Sequence, residues 1–137
     1  VYLVADGGQH GRGYVYAEAI VDPRAWFFKN HFYQDPVMPG SLGMQAIQQA
    51  LQAYAVHEGL GAGLRYPTFT QIPDHQVSWK YRGQIQPEDG ALALEAHVRE
   101  VRERPGEVTL VGDASLWKAD RRIYEVNGAG ICIREKV

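Results

Sequence analysis

Cysteine is almost missing from this sequence: Cys132 is the single one in 137 residues. One thiol excludes an intrachain disulfide and a zinc site built on cysteines, and the simplest setting is a reducing one, the cytoplasm. An excess of either charge is missing too. Lys and Arg number 14 against 16 Asp and Glu, a formal net charge of −2, so nothing in the balance points to nucleic acid or to an anionic membrane as partner. No apolar run approaches the length of a membrane span, and no charged-then-apolar stretch resembles a signal peptide. Internal repeats and low-complexity linkers are lacking. The chain begins "VYLVADGG" with no initiator Met, which raises the expectation of a piece excised from a longer multidomain polypeptide. What remains is a globular composition, 45% hydrophobic, on a length that suits one domain over residues 1–137.

The hydrophobic period changes twice. "VYLVA" (1–5) and "GYVYAEAIV" (13–21) are β-branched and aromatic, and the glycine-rich "DGGQHGRG" between them reads as a turn. Asp22 is placed to cap a short helix with Pro23 at its first position. From Ser41 to Glu58 the apolar residues Ile47, Ala50, Leu51 and Tyr54 recur at helical spacing, with Gln45, Gln48, Gln49 and Gln52 as a polar stripe. Gly59, Gly61 and Gly63 end that helix. Alternation then returns. "HQVSWKYRG" sets Val77, Trp79 and Tyr81 on one side, and "ALALEAHVREVRER" does so through Leu92, Leu94, Ala96, Val98 and Val101. "EVTLVGDASLWKAD" and "RRIYEVNGAGICIRE" complete a meander whose hairpin turns are expected at "QPEDG", "RPG" and "KADR". One long helix followed by long antiparallel strands predicts an α+β domain with a curved sheet wrapped around the helix. Open sheet edges predict side-by-side pairing of two units.

The stretch "DPRAWFFKNHFYQDPVMPGSLGMQAIQQ" resembles the active-site segment of the FabA-type β-hydroxyacyl-acyl-carrier-protein dehydratases. "GRGYVYAEAIVDP", "VSWKYRGQIQP" and "GDASLWKADRRIYEV" extend the resemblance over nearly the whole chain. "PGSLGMQAIQQALQAYAVHEGLG" and "WKYRGQI" are most similar to dehydratase domains of polyunsaturated-fatty-acid and polyketide-type synthases. The resemblance implies a hot-dog fold, no cofactor of the domain's own, and a substrate carried on the phosphopantetheine of an acyl carrier protein.

Dehydrating a 3-hydroxyacyl thioester needs a base for the α-proton, a polariser for the thioester oxygen and a proton for the departing hydroxyl. His31 suits the first task, since imidazole titrates near working pH. The resemblance implies that the carbonyl of Val37 orients its ring. Backbone N–H groups at the start of the helix suit the second: Gly40 permits close approach, Pro39 fixes the chain just ahead of it, and the helix dipole favours a developing oxyanion. Ser41 reads as an N-cap residue. The third task is where the sequence departs from the family. FabA-type helices carry Asp, and related dehydratases Glu, five residues after the glycine of the Pro-Gly pair, with Gln four residues further on. Here Gln49 is in place, but the acid position holds Gln45. An amide orders water or hydroxyl but does not serve as an acid.

Three versions stand at this point. A second hot-dog unit supplies the acid across an interface; or the chain works slowly alone with Gln45; or it is a non-catalytic domain supporting a partner. A hot-dog acyl thioesterase is the rival activity. Trp26, Phe28, Phe32 and Met38 either line an acyl tunnel or fill the core. Arg99, Arg102, Arg121 and Arg122 either dock an acidic carrier protein or are solvated sheet charges. "GGQHGRG" lacks the Lys-Ser/Thr of a phosphate loop, and "HEGLG" lacks the second His of a zinc helix, so no metal is expected.

Overall fold

The computed structural model describes residues 2–20, 22, 24–25, 40–86, 89–119 and 121–135. The change of period near Ser41 becomes a helix, α1 (Gly40–His57). Its inner face buries the expected Ile47, Ala50, Leu51 and Tyr54 together with Ala55, while Gln45, Gln49 and Val56 stay exposed. The helix closes as a Schellman motif. The Gly59 N–H donates to Val56 O (3.1 Å) and the Leu60 N–H to Ala55 O (2.9 Å), with Gly59 at φ 69°, a conformation that glycine adopts without cost to a side chain. Ahead of the helix, Asp22 Oδ1 accepts from the Arg24 N–H at 2.9 Å; the short helix expected after it falls outside the described residues.

The strands are β1 (Tyr2–Val4), β2 (Tyr14–Ile20), β3 (Pro67–Thr70), β4 (Ser78–Tyr81), β5 (Ala91–Arg104), β6 (Glu107–Lys118) and β7 (Arg121–Glu135). They form a seven-stranded sheet in the order β1-β2-β5-β6-β7-β3, with β4 also on β7. Every pairing is antiparallel. Leu92, Leu94, Ala96 and Val98 of β5, Leu110, Ala114 and Leu116 of β6 and Ile123, Val126 and Ile131 of β7 face α1 and close one core with it. This is the helix-wrapped sheet expected from the sequence. Among the described residues no helix is long and apolar enough to cross a membrane.

One expectation needs correction. "QPEDG" makes a turn, with the Gln86 N–H on Asp89 Oδ2 at 2.6 Å, but not a hairpin: β4 pairs with β7, so the chain crosses from one side of the meander to the other to begin β5. Trp79 and Tyr81, expected on one side of their strand, are 48% and 47% exposed on an edge of the sheet. Val101, 36% exposed, lies on the hairpin tip beyond the helix. β3 is an element that the pattern does not reveal, because its four residues are all exposed and do not alternate.

The curvature has an identifiable pin. The ladders slip between Val98 and Glu100, where Arg99 is the extra residue of β5, and between Gly112 and Ala114, where Asp113 stands opposite Asn127 and Gly128 of β7. Asp113 occupies the centre of this line. Its Oδ1 accepts from Arg99 Nη1 (3.2 Å) and from the Gly128 N–H (3.0 Å), and its Oδ2 from His10 Nε2 (3.0 Å). One carboxylate thus satisfies backbone and side-chain donors where two bulges bend the sheet. Asp113→Ala is expected to lower stability by about 2 kcal/mol, the scale of hydrogen bonds to a charged group lost with a backbone N–H left unpaired. Denaturant unfolding of the variant checks this.

Candidate active site

Two cavities flank the first half of α1. One, of about 490 Å³, lies between α1 and the β2–β5 side of the sheet, walled by Ala17, Leu42, Ala46, Ala50 and Leu94 and touched by Gln49. Small side chains on both walls create this apolar space. The other, of about 390 Å³, lies on the opposite flank, where Gln45 and Gln48 of α1 meet Ile72, His75, Trp79 and Tyr81. Gln45 and Gln49, one helical turn apart, therefore address different cavities.

Gly40 opens α1, Ser41 follows in its first turn, and that turn holds no acidic side chain to offset the dipole. Tyr124 of β7 supports the next turn. A Cβ on Gly43 would overlap its ring, so glycine here lets helix and sheet approach. Tyr124 is 3% exposed, and burial first, with Tyr81 adding, pushes its hydroxyl up to about 12 from 10.0. An acid whose folded value is raised stabilises the fold fully below its unfolded value and loses that contribution as pH climbs. Stability is thus expected to fall by about 2–3 kcal/mol through this window, pH 10 to 12. Ultraviolet titration of phenolate alongside unfolding reads it.

His31, Val37, Met38, Pro39, Trp26, Phe28 and Phe32 lie outside the described residues. The four arginines do not form one patch. Arg99 binds Asp113 (3.2 Å) and Arg102 pairs with Glu100, both toward the end of the sheet where α1 finishes. Arg121 and Arg122 lie at the other end, where Gly43 packs on Tyr124; Arg122 stacks over the Trp117 ring at 4.9 Å and approaches Glu125 at 3.9 Å. Gly43, Tyr124 and His75 do not stand out in the sequence pattern. A glycine inside a helical pattern is the available signal for Gly43; His75, alone in a loop, gives none.

The FabA-like domain family matches residues 1–127. This chain belongs to that family. It is 40% identical over 133 residues to one subunit of a polyunsaturated fatty acid synthase from Thraustochytrium sp., an alignment covering 96% of this chain and 9% of that protein. It thus spans only a small fraction of the curated relative's length. Among solved structures, a thioesterase from Staphylococcus aureus superposes with TM-score 0.57 at 11% identity, covering 96% of this chain and 93% of that one. A fluoroacetyl-CoA-specific thioesterase gives TM-score 0.59 at 14% identity, with 94% and 88% covered. At these identities the likeness shows the fold alone, the hot-dog fold of a FabA-like domain.

Proposed function

We propose that this FabA-like domain dehydrates a 3-hydroxyacyl thioester, carried on the phosphopantetheine of an acyl carrier protein, to the trans-2-enoyl thioester within a multidomain fatty-acid or polyunsaturated-fatty-acid synthase. His31 removes the α-proton. The backbone N–H of Gly40 polarises the thioester oxygen at a helix start that carries no acidic side chain. The C3–O bond then breaks and the hydroxyl leaves as water after taking up a proton. The observation that carries this reading is the family match, which spans His31, Gly40 and the Gln45 position in one continuous segment.

The acyl chain fits the apolar cavity beside Gln49, whose walls are alanine and leucine. Gln45 cannot supply the proton, so a second hot-dog unit completes the site. Its place is the β3/β4 edge, where Phe69 is 41%, Trp79 48% and Tyr81 47% exposed, alongside the uncharged outer face of α1 with Gln45, Gln49 and Val56. Carrier docking belongs at Arg121 and Arg122, the pair at the end of the sheet where α1 begins.

Supplying a 3-hydroxyacyl pantetheine thioester and following enoyl formation against free-thiol release tests the reaction. The expected product is enoyl thioester. Thiol without enoyl would establish the thioesterase instead.

A further inference from the structure

The cavity that receives Gln45 holds no carboxylate among its described lining residues, but it does hold one imidazole, that of His75. The stretch 71–77 that carries it links β3 and β4, which pair with separate segments of β7, opposite residues 132–135 and 124–127. Between those segments β7 has no neighbour on this edge among the described strands, and the 71–77 stretch crosses there. Gly130 makes the crossing possible, since a Cβ would stand 2.6 Å from Ile72 and 3.1 Å from His75 Nε2. The ring is then fixed by one strong contact: Nε2–H donates to the Gly128 carbonyl at 2.6 Å. A carbonyl accepts only, so Nε2 carries hydrogen in either charge state, and the second proton of an imidazolium resides on Nδ1. His75 is half-buried, and the described lining of the cavity contains one other ionisable group, the Tyr81 phenol. Around it stand Asp74 in its own loop, Arg99 of β5 beyond Gly128, and Glu100, Arg102, Arg104, Glu107 and Arg134 across a neighbouring charged groove.

We propose that His75 is the proton donor to the departing hydroxyl, in the place where Gln45 leaves the helix without an acid. The inference rests on the dehydratase reading above. The base takes the α-proton, the C3–O bond breaks with its electron pair on oxygen, and that oxygen takes the Nδ1 proton of the His75 imidazolium. The products are enoyl thioester and water, and the two imidazoles reset by exchanging one proton each with solvent. Gln45 orients the hydroxyl through its amide.

The test uses the full chain with a 3-hydroxyacyl pantetheine thioester and compares His75→Gln, Gln45→Asp and the double variant. Glutamine keeps an N–H for the Gly128 carbonyl and removes the titrating group. His75→Gln is expected to lower kcat for enoyl formation by about 10²-fold, the usual scale for a lost general acid, with KM little changed. In the Gln45→Asp background the same substitution should cost almost nothing, because a carboxyl group now serves. An equal loss in both backgrounds makes His75 a loop anchor and overturns the proposal, as does no loss in the native background. Enoyl formation that His75→Gln leaves unchanged counts against His75 alone. Failure of the unsubstituted chain to make enoyl product rejects the dehydratase reading and the donor with it.

Discussion

In the full chain carrying His75→Gln, Gln45→Asp is expected to raise enoyl formation by between about 10-fold and 10²-fold, the lower part of the range for gain or loss of a general acid. The physical reason is proton affinity. A carboxylic acid gives up its proton to a departing hydroxyl, whereas an amide N–H only donates a hydrogen bond. Position favours a clean result. Gln45 is exposed on the outer face of α1, away from Ile47 and Leu51, which fill the core. The substitution thus changes chemistry in the cavity with Trp79 and Tyr81 and leaves packing alone. Gln45→Glu, which keeps the length of the side chain, should share the gain. An unchanged rate would mean either that proton donation does not limit the reaction or that position 45 does not reach the substrate.

Gly43→Ala is expected to destabilise the fold by about 2 kcal/mol, even though alanine is the better helix former by about 1 kcal/mol. The new Cβ would overlap Cε2 of Tyr124, and that ring, 3% exposed and edge-on to Tyr81 at 4.7 Å, is enclosed by its neighbours. Relief requires helix and sheet to separate just where Gly40 begins α1, so activity should fall together with stability. Denaturant midpoints read the first effect, and kcat on the pantetheine thioester reads the second. In a Tyr124→Leu background the alanine should cost less, since the atoms that it meets are gone. A stabilised Gly43→Ala would show that propensity outweighs the contact.

How far the sequence reveals this molecule depends on where each residue gets its partners. α1 is legible because its buried face repeats at helical spacing, and β5 and β7 match their expected spans of 91–104 and 121–135, β5 because one face meets the core and β7 because it carries a buried run over 128–133. β3 and the crossing before β5 are not legible, because exposed edge strands carry no alternating signal and pairing order is not written in local period. The glutamine at position 45 is readable only against the family's motif, and the structure adds that Gln45 and Gln49 serve two cavities. His75 acquires meaning from a gap in β7's neighbours that Gly128 and Gly130 leave open. The arginines look like one group in the sequence, which does not show that residues 99–102 and 121–122 sit at opposite ends of the same strands.

The most direct measurement of the central claim is enoyl formation by the full chain carrying His31→Ala, with a 3-hydroxyacyl thioester on acyl carrier protein as substrate. The account predicts a loss of about 10²–10⁴-fold in kcat, as for removal of a general base, with the fold's unfolding midpoint retained. Dehydration that continues at the native rate without the imidazole would contradict it.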